Sequence, residues 1–583
     1  MKTLKIVLGL LAAGLALAAY YIFGTGPALH APSDLSDLIG TPDSPVLVKD
    51  ISALEGDVTI DKDVGVMTRD GVRLSANVFR PKAPGRYPVV MAFTAYHKDE
   101  TPRRYPDYLR RHAGPDYDMG EIRVSEWTPW EAPDPAYWVD QGYVVVMLDS
   151  RGYGLSDGTA SVLSIQDRHD FHDAINWAAD QDWSNGNVGL TGVSYLAISQ
   201  WIAASSAPEP LKAIMPWEGQ TDNFREVLFH GGIPETAFTE FWLTRVRSKA
   251  NKTSLPPHRI MRFAGQRPML MKRLQSRMPP SGIALDEITV PALICASWSD
   301  HGMHTRGSFE GFKHIASEQK WLYTHGQPKW DVYYSDEALE VQTAFFDHFL
   351  KGEDNGFEAR PRVRLEVRDT LKEFTVRYED TWPLPSTVPT PLYLDAAGGS
   401  LEERPPQDAA KVSYDAREGG AAFRMVFQEE TELTGNMKLK LWVEAEGARD
   451  MDLFVAVKKY DAAGDEVTFF GKAGFAKSPV AIGWLRVSQR ELDTDRSTPL
   501  QPVLAHERSL KLSRGEIAPV EIEILPSSTR FLPGETLEVA VQGRDHFEHM
   551  ALAHENTVNR GAHVIHAGGA YDSHLLVPVI PAD

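Results

Sequence analysis

In the first half of the chain, continuous apolar runs outnumber alternating ones. Tyr87-Pro88-Val89-Val90-Met91-Ala92-Phe93 and Gly142-Tyr143-Val144-Val145-Val146-Met147-Leu148-Asp149 are β-branched or apolar almost throughout. Such runs fit strands buried on both faces, as in a parallel sheet covered by helices. Shorter runs of the same kind fall at 188–191, 213–216, 292–296 and 321–323. Between them, 166–181 has helical periodicity, with Phe171, Ala174, Ile175 and Ala178 on one side. Strands alternating with helices predict a parallel α/β sheet. Ahead of it, two apolar runs flank Asp70-Gly71 from Gly65 to Leu74, which predicts a hairpin.

The pattern lapses between Trp217 and Ile288, where helix-like stretches at 234–247 and 269–278 are separated by Pro and Gly. An insertion after a late strand of such a sheet predicts a helical cap over the active site. Beyond Gly352 the period becomes two, beginning with Pro361-Arg362-Val363-Arg364-Leu365-Glu366-Val367. It continues through Lys438-Leu439-Lys440-Leu441-Trp442-Val443, 453–457 and 536–541. Many short strands with polar turns predict a β-sandwich or jelly roll. The expected division is an α/β domain over 63–217 and 289–360, a cap over 218–288 and a sandwich over 361–583.

The beginning of the chain reads differently. Lys2 and Lys5 precede an apolar stretch over 6–23, and Ala16-Leu17-Ala18 offers a cleavage site. Residues 1–26 thus read as a signal peptide or, given their length, an uncleaved membrane anchor. Residues 27–62, rich in Pro, Ser, Asp and Gly, read as a linker. Either reading expects an exported protein: periplasmic, secreted, or anchored to the membrane through this segment.

With 583 residues the chain needs more than one core, and 43% hydrophobic with 24% charged residues is ordinary folded composition. The net charge of -20 argues against nucleic acid, whose phosphates call for concentrated Lys and Arg. One local run is basic, with ten Lys and Arg from Arg245 to Arg277 and no acid between Glu240 and Asp286. A solvated face accounts for it, and an anionic substrate or membrane surface is the sharper alternative. The lone Cys295 can form no internal disulfide and matches no metal spacing. His546, His549, His554 and His563 lie close in sequence but lack a catalytic zinc pattern. With no phosphate loop or dinucleotide fingerprint, no cofactor and no metal is expected.

Acyl transfer needs a nucleophile, a base, an acid that orients the base, and donors for the oxyanion. Gly192-Val193-Ser194-Tyr195-Leu196-Ala197 follows a strand and opens an apolar helix. That is the strand–turn–helix setting of a nucleophilic serine, though Leu196 stands where the G-x-S-x-G form has its second glycine. In the order nucleophile, acid, base, Asp300 closes one apolar run and His325 follows the next. His301 and His304 compete for the base because they lie beside Asp300.

These residues resemble the cocaine esterase and X-prolyl dipeptidyl-peptidase family, which includes α-amino-acid ester hydrolases. The likeness extends over nearly all of the chain beyond Asp63. It includes Arg69-Asp70-Gly71-Val72-Arg73-Leu74, Asp149-Ser150-Arg151-Gly152-Tyr153-Gly154, Trp298-Ser299-Asp300, Phe345-Phe346-Asp347-His348-Phe349-Leu350-Lys351-Gly352 and Phe531-Leu532-Pro533-Gly534. The resemblance implies an α/β-hydrolase fold with an inserted cap and a C-terminal jelly roll. It also implies Ser194 as nucleophile, Asp300 as acid, His325 as base, and Tyr96 with the backbone N–H of Tyr195 as oxyanion donors. One departure stands out. The family sets its histidine in Pro-Trp-x-His, whereas this chain reads Tyr323-Thr324-His325-Gly326-Gln327-Pro328-Lys329-Trp330.

The expected substrate is a small molecule or peptide carrying an ester or amide. Removal of X-Pro dipeptides would need a carboxylate for the substrate ammonium, for which Glu226, Glu235 and Glu240 are candidates. The alternative from another class is a catalytically silent, envelope-tethered protein that holds carbohydrate through its jelly roll.

Overall fold

The computed structural model describes residues 45–101, 116–252, 283–547, 549 and 552–582. The expected signal or anchor, the first half of its linker (27–44), the helix at 269–278, and the basic residues from Arg259 to Arg277 lie outside the described residues. Among the described residues, no helix is long and apolar enough to cross a membrane.

The hairpin forms as predicted. Strand β1 (Val58–Met67) pairs antiparallel with β2 (Arg73–Pro81). Gly71 takes φ +81° at the turn, a value that a residue with a Cβ resists. The continuous runs become β3 (Tyr87–Thr94), β4 (Val144–Asp149), β5 (Ser184–Val193), β6 (Leu211–Trp217), β7 (Ala292–Ser297) and β8 (Lys320–His325). Pairings run β1-β2-β4-β3-β5-β6-β7-β8, parallel from β4 to β8, with β2 antiparallel to β4. Helix α1 (Ile165–Ala179) packs Phe171, Ala174, Ile175 and Ala178 inward. Its start is fixed by a capping box between Ser164 and Asp167.

At 361–367 the structure departs from the expected boundary. Strand β9 (Val363–Arg368) pairs parallel with β8 and antiparallel with β10 (Phe374–Glu379), so it extends the α/β sheet. All six residues of β9 are buried, despite the alternation that suggested one wet face. The polar positions find partners indoors. The Arg364 guanidinium reaches Glu337 at 2.7 Å, and the Glu366 carboxylate accepts the Gly326 N–H at 2.6 Å.

The C-terminal domain beyond β10 is mostly β. Its long strand Thr431–Glu446 pairs with Ala518–Phe531, Ala562–Ala567 and His574–Ile580. A second group joins Asp452–Tyr460 to Ala481–Arg486 and Thr536–Gln542. The inward residues Leu439, Leu441, Val455, Val457, Val539 and Val541 share one core. Within the segment expected as a cap, α3 (Phe238–Lys249) lies close to the helix expected at 234–247.

Candidate active site

Ser194 sits between β5 and α2 (Tyr195–Ala204) at φ 59°, ψ −117°, a strained setting for a residue with a Cβ. The neighbours enforce it. A Cβ at Gly192 (φ +143°) would lie 2.6 Å from the Leu196 Cβ, so the glycine before the serine lets Leu196 occupy the helix's first turn. Ala197 is small because Gly219 passes over it, where an added Cβ would meet the Ala197 Cβ at 3.0 Å. The departure from G-x-S-x-G therefore leaves the turn intact.

Ser194 Oγ lies 3.2 Å from His304 Nε2. His304 Nδ1 in turn meets the Asp300 carboxylate. Sequence reasoning placed the base at His325, with His304 as a competitor, and the structure brings Ser194 and Asp300 together through His304. After β7 the chain makes a single tight turn, in which the Asp300 carbonyl accepts the N–H groups of Met303 at 3.2 Å and His304 at 3.3 Å. That turn lays residue 304 over residue 300 and leads into α4 (Thr305–His314). The signal available beforehand was the four-residue spacing from Asp300, one helical turn.

His325 ends β8 and points elsewhere. Its Nδ1–H donates to the Gln327 carbonyl at 3.1 Å, and its Nε2 lies 3.0 Å from Glu218 Oε1. Glu218 accepts a hydrogen bond from Ser297 at 2.8 Å through its other oxygen. His301 also turns away, its Nε2 lying 3.1 Å from the Pro526 carbonyl.

Lys329, unnoticed in the sequence, occupies the middle of this network. Its Nζ lies 2.6 Å from Asp300 Oδ2, 3.1 Å from His304 Nδ1 and 3.9 Å from Glu218 Oε2. Burial opposes the charge on Asp300, but Lys329 and His304 outweigh it and hold the carboxyl well below the usual range. Burial, with the nearby Lys329 ammonium, lowers the pKa of His304 against the opposing pull of Asp300. Burial works against the ammonium of Lys329, yet Asp300 and Glu218 raise its pKa overall.

On the oxyanion side, the N–H of Tyr195 opens α2 and has no intrahelical acceptor. Tyr96 follows β3, and its ring meets Tyr195 edge-on at 5.9 Å. The Tyr96 hydroxyl accepts from Trp242 Nε1 of α3 at 3.1 Å, and Arg245 of the same helix stacks over its ring at 4.6 Å. Behind it, burial raises Glu131 to about 7, with Lys329 and Arg245 opposing. In the described part of the basic stretch, Arg245 and Lys249 each reach Glu100 at 2.7 Å.

Two groups of ligand-type side chains converge on Glu218, one with Cys295 and His325, the other with Asp300 and His304. The Lys329 ammonium supplies the counter-charge there, and both His304 nitrogens are committed to Ser194 and Asp300. The second set of donors therefore does not fit a metal centre. The histidines near the C-terminus pair instead: His554 Nδ1 with Asp545 at 2.9 Å, and His554 Nε2 with His230 Nδ1 at 2.8 Å.

Residues 70–330 match the X-Pro dipeptidyl-peptidase (S15 family), and residues 355–576 match the X-Pro dipeptidyl-peptidase C-terminal non-catalytic domain. A CocE/NonD family hydrolase from Staphylococcus aureus is 41% identical, with a TM-score of 0.84 over 93% of this chain and 100% of its own. The cocaine esterase of Rhodococcus is 26% identical, over 90% of this chain and 100% of its own. An α-amino acid ester hydrolase shares the fold at 17% identity, with a TM-score of 0.61 over 95% of this chain and 100% of its own. The chain therefore belongs to the S15 X-Pro dipeptidyl-peptidase family, alongside the CocE/NonD hydrolases, and is a serine hydrolase of that type.

Proposed function

We propose that the protein is an esterase working through an acyl-enzyme, with Ser194, His304 and Asp300 as its triad. Ser194 Oγ attacks the ester carbonyl while His304 Nε2 takes its proton. His304 then returns that proton to the leaving alcohol, and water releases the acid by the reverse sequence. Asp300 keeps the proton on Nδ1, so that Nε2 is free to accept. The N–H of Tyr195 and the hydroxyl of Tyr96 are the donors to the oxyanion, where a well-placed donor lowers the barrier by about 3–4 kcal/mol.

The observation that carries this reading is the 3.2 Å approach of Ser194 Oγ to His304 Nε2. Esterase is preferred to X-Pro dipeptidyl-peptidase because two of the three carboxylates considered for an ammonium are otherwise engaged. Glu235 accepts the N–H groups of Ala237, Phe238 and Thr239 at 2.8–2.9 Å. Glu226 accepts from Thr221 and Asp222 and meets Arg306 at 3.3 Å. Glu240 lies two residues beyond Phe238, roughly 200° around α3.

A fluorophosphonate probe and an aryl acetate assay test the proposal. Ser194→Ala is expected to take no label. His304→Ala is expected to lose activity on the order of 10⁴-fold or more, and His325→Ala far less. Unchanged turnover by Ser194→Ala would sink the reading, while a silent His325→Ala beside an active His304→Ala would return the base to His325. For the beginning of the chain we propose export, with 1–26 as signal or anchor. A mature protein recovered only from the cytoplasm would contradict it.

A further inference from the structure

Three ligand-type side chains meet at the ends of β6, β7 and β8, beside the proposed triad but outside it. Cys295 and Ser297 lie two residues apart on β7 and so share a face of the sheet. His325, the last residue of β8, stands level with Ser297. Glu218 follows β6 at once, and its N–H donates to the Cys295 carbonyl at 3.1 Å. It adopts φ 53°, in the left-handed region, where a residue with a Cβ is strained. Glu218, Cys295 and His325 offer ligand atoms that all lie within 4.8 Å of one another. Each of the three residues is at most 1% exposed.

The hydrogen bonds around this trio single out two of its atoms. His325 Nδ1 lies 3.1 Å from the Gln327 carbonyl, which can only accept, so Nδ1 carries the ring proton. Nε2 of the neutral ring is then a bare lone pair. It stands 3.0 Å from Glu218 Oε1, yet neither atom has a hydrogen-bond partner. Two bare acceptors so close repel each other unless a cation lies between them. A proton on Nε2 does not serve, because its N–H would not be directed at Oε1. The other oxygen of the carboxylate is already placed, accepting the Ser297 hydroxyl at 2.8 Å. A ring whose far N–H is fixed by a backbone carbonyl, and a carboxylate held by a hydroxyl, are the usual supports of metal ligands. Charge also balances. A divalent ion with one thiolate and one carboxylate is neutral, which leaves the Lys329 ammonium to Asp300 at 2.6 Å. Thiolate with imidazole selects zinc over the hard cations magnesium and calcium. No spacing announces the site, since its ligands come from three separate strand ends.

We propose that Cys295 Sγ, His325 Nε2 and Glu218 Oε1 bind a zinc ion, which ties the ends of β6, β7 and β8 together. The role is structural: the ligands are buried, and Ser194 meets His304 without it. Binding replaces the Cys295 thiol proton, so one proton leaves for each ion bound and retention weakens as pH falls. The site is independent of the esterase reading.

The full chain, produced without a histidine tag, is stripped with a chelator and given cobalt(II) as a stand-in for zinc. Cys295 is the sole cysteine, so a thiolate-to-cobalt charge-transfer band in the near ultraviolet can arise from it alone. That band is expected to saturate at one cobalt per chain, to be bleached by zinc and to be absent from Cys295→Ala. Elemental analysis of protein purified without chelator is expected to give one zinc per chain in the wild type, and at least about tenfold less in Cys295→Ala. Removing the metal is expected to lower the melting temperature of the wild type, and zinc to restore it. A folded wild-type protein that develops no such band would overturn the site, and so would zinc retained equally by Cys295→Ala. Should Cys295→Ala fail to fold, the band of the wild type decides the matter alone.

Discussion

At the scale of single residues, Lys329 has the most to explain, since its ammonium touches the acid of the proposed triad and approaches its base. For His304 to work as a base its imidazole must be neutral, so activity rises as pH climbs through the pKa of His304. The groups that face its ring are Ser194, Asp300, Lys329 and, further off, Glu218. Burial and Lys329 both lower that pKa, and Asp300 and Glu218 raise it. Removing the ammonium in Lys329→Met should therefore move the acid limb of kcat/KM to higher pH, and Lys329→Arg should leave it near its original place. The variant should also lose about 3–5 kcal/mol of stability, because Asp300 and Glu218 are left without their buried partner. A pH–rate profile with an unmoved acid limb would show that Lys329 serves packing alone. Of this network the sequence disclosed Ser194 and Asp300, whose neighbours are local strand and turn signals. Lys329 and Glu218 were illegible because their partners lie far along the chain, more than 25 positions away in the cases of Lys329–Asp300 and Ser297–Glu218.

Among elements, the turn from β5 into α2 shows how local sequence sets a functional strain. Gly192 is required both by its φ of +143° and by the Leu196 side chain that would collide with any Cβ. Gly192→Ala should cost about 1–3 kcal/mol through strain and overpacking. It should also displace Ser194 from His304, so that fluorophosphonate labelling slows even where the protein remains folded. Labelling at the wild-type rate in a variant of unchanged melting temperature would refute this account of the turn. This element was readable because its determinants are adjacent in the chain. Strand β9 was not. Its alternation of Val363, Leu365 and Val367 with charged residues imitates a half-exposed strand, yet both faces are covered. The charges are tolerated indoors because Glu337 and the Gly326 N–H meet them, partners that periodicity cannot reveal.

In the whole molecule, the catalytic turn, the cap and the C-terminal domain are joined at Arg306, two residues beyond His304. Its guanidinium is buried, lies 3.3 Å from Glu226 of the cap and 3.2 Å from Glu523 of the C-terminal domain, and stands on α4 of the hydrolase domain. Burial works against its charge, but Glu523, Glu310 and Glu226 outweigh that and keep it firmly protonated. Arg306→Met removes the common cation and leaves buried carboxylates without compensation, so a loss of about 3–5 kcal/mol is expected in chemical denaturation. Since α4 begins at the histidine of the proposed triad, the same variant should lower kcat more than it raises KM, the mark of a displaced catalytic group rather than a lost substrate contact. Glu523→Gln separates the two effects, because it weakens the tie to the C-terminal domain while leaving Arg306 its pairing with Glu226. If Arg306→Met unfolded at the wild-type midpoint and kept its kcat, the three parts would be held together by their apolar contacts, and the geometry around His304 would not depend on this charge.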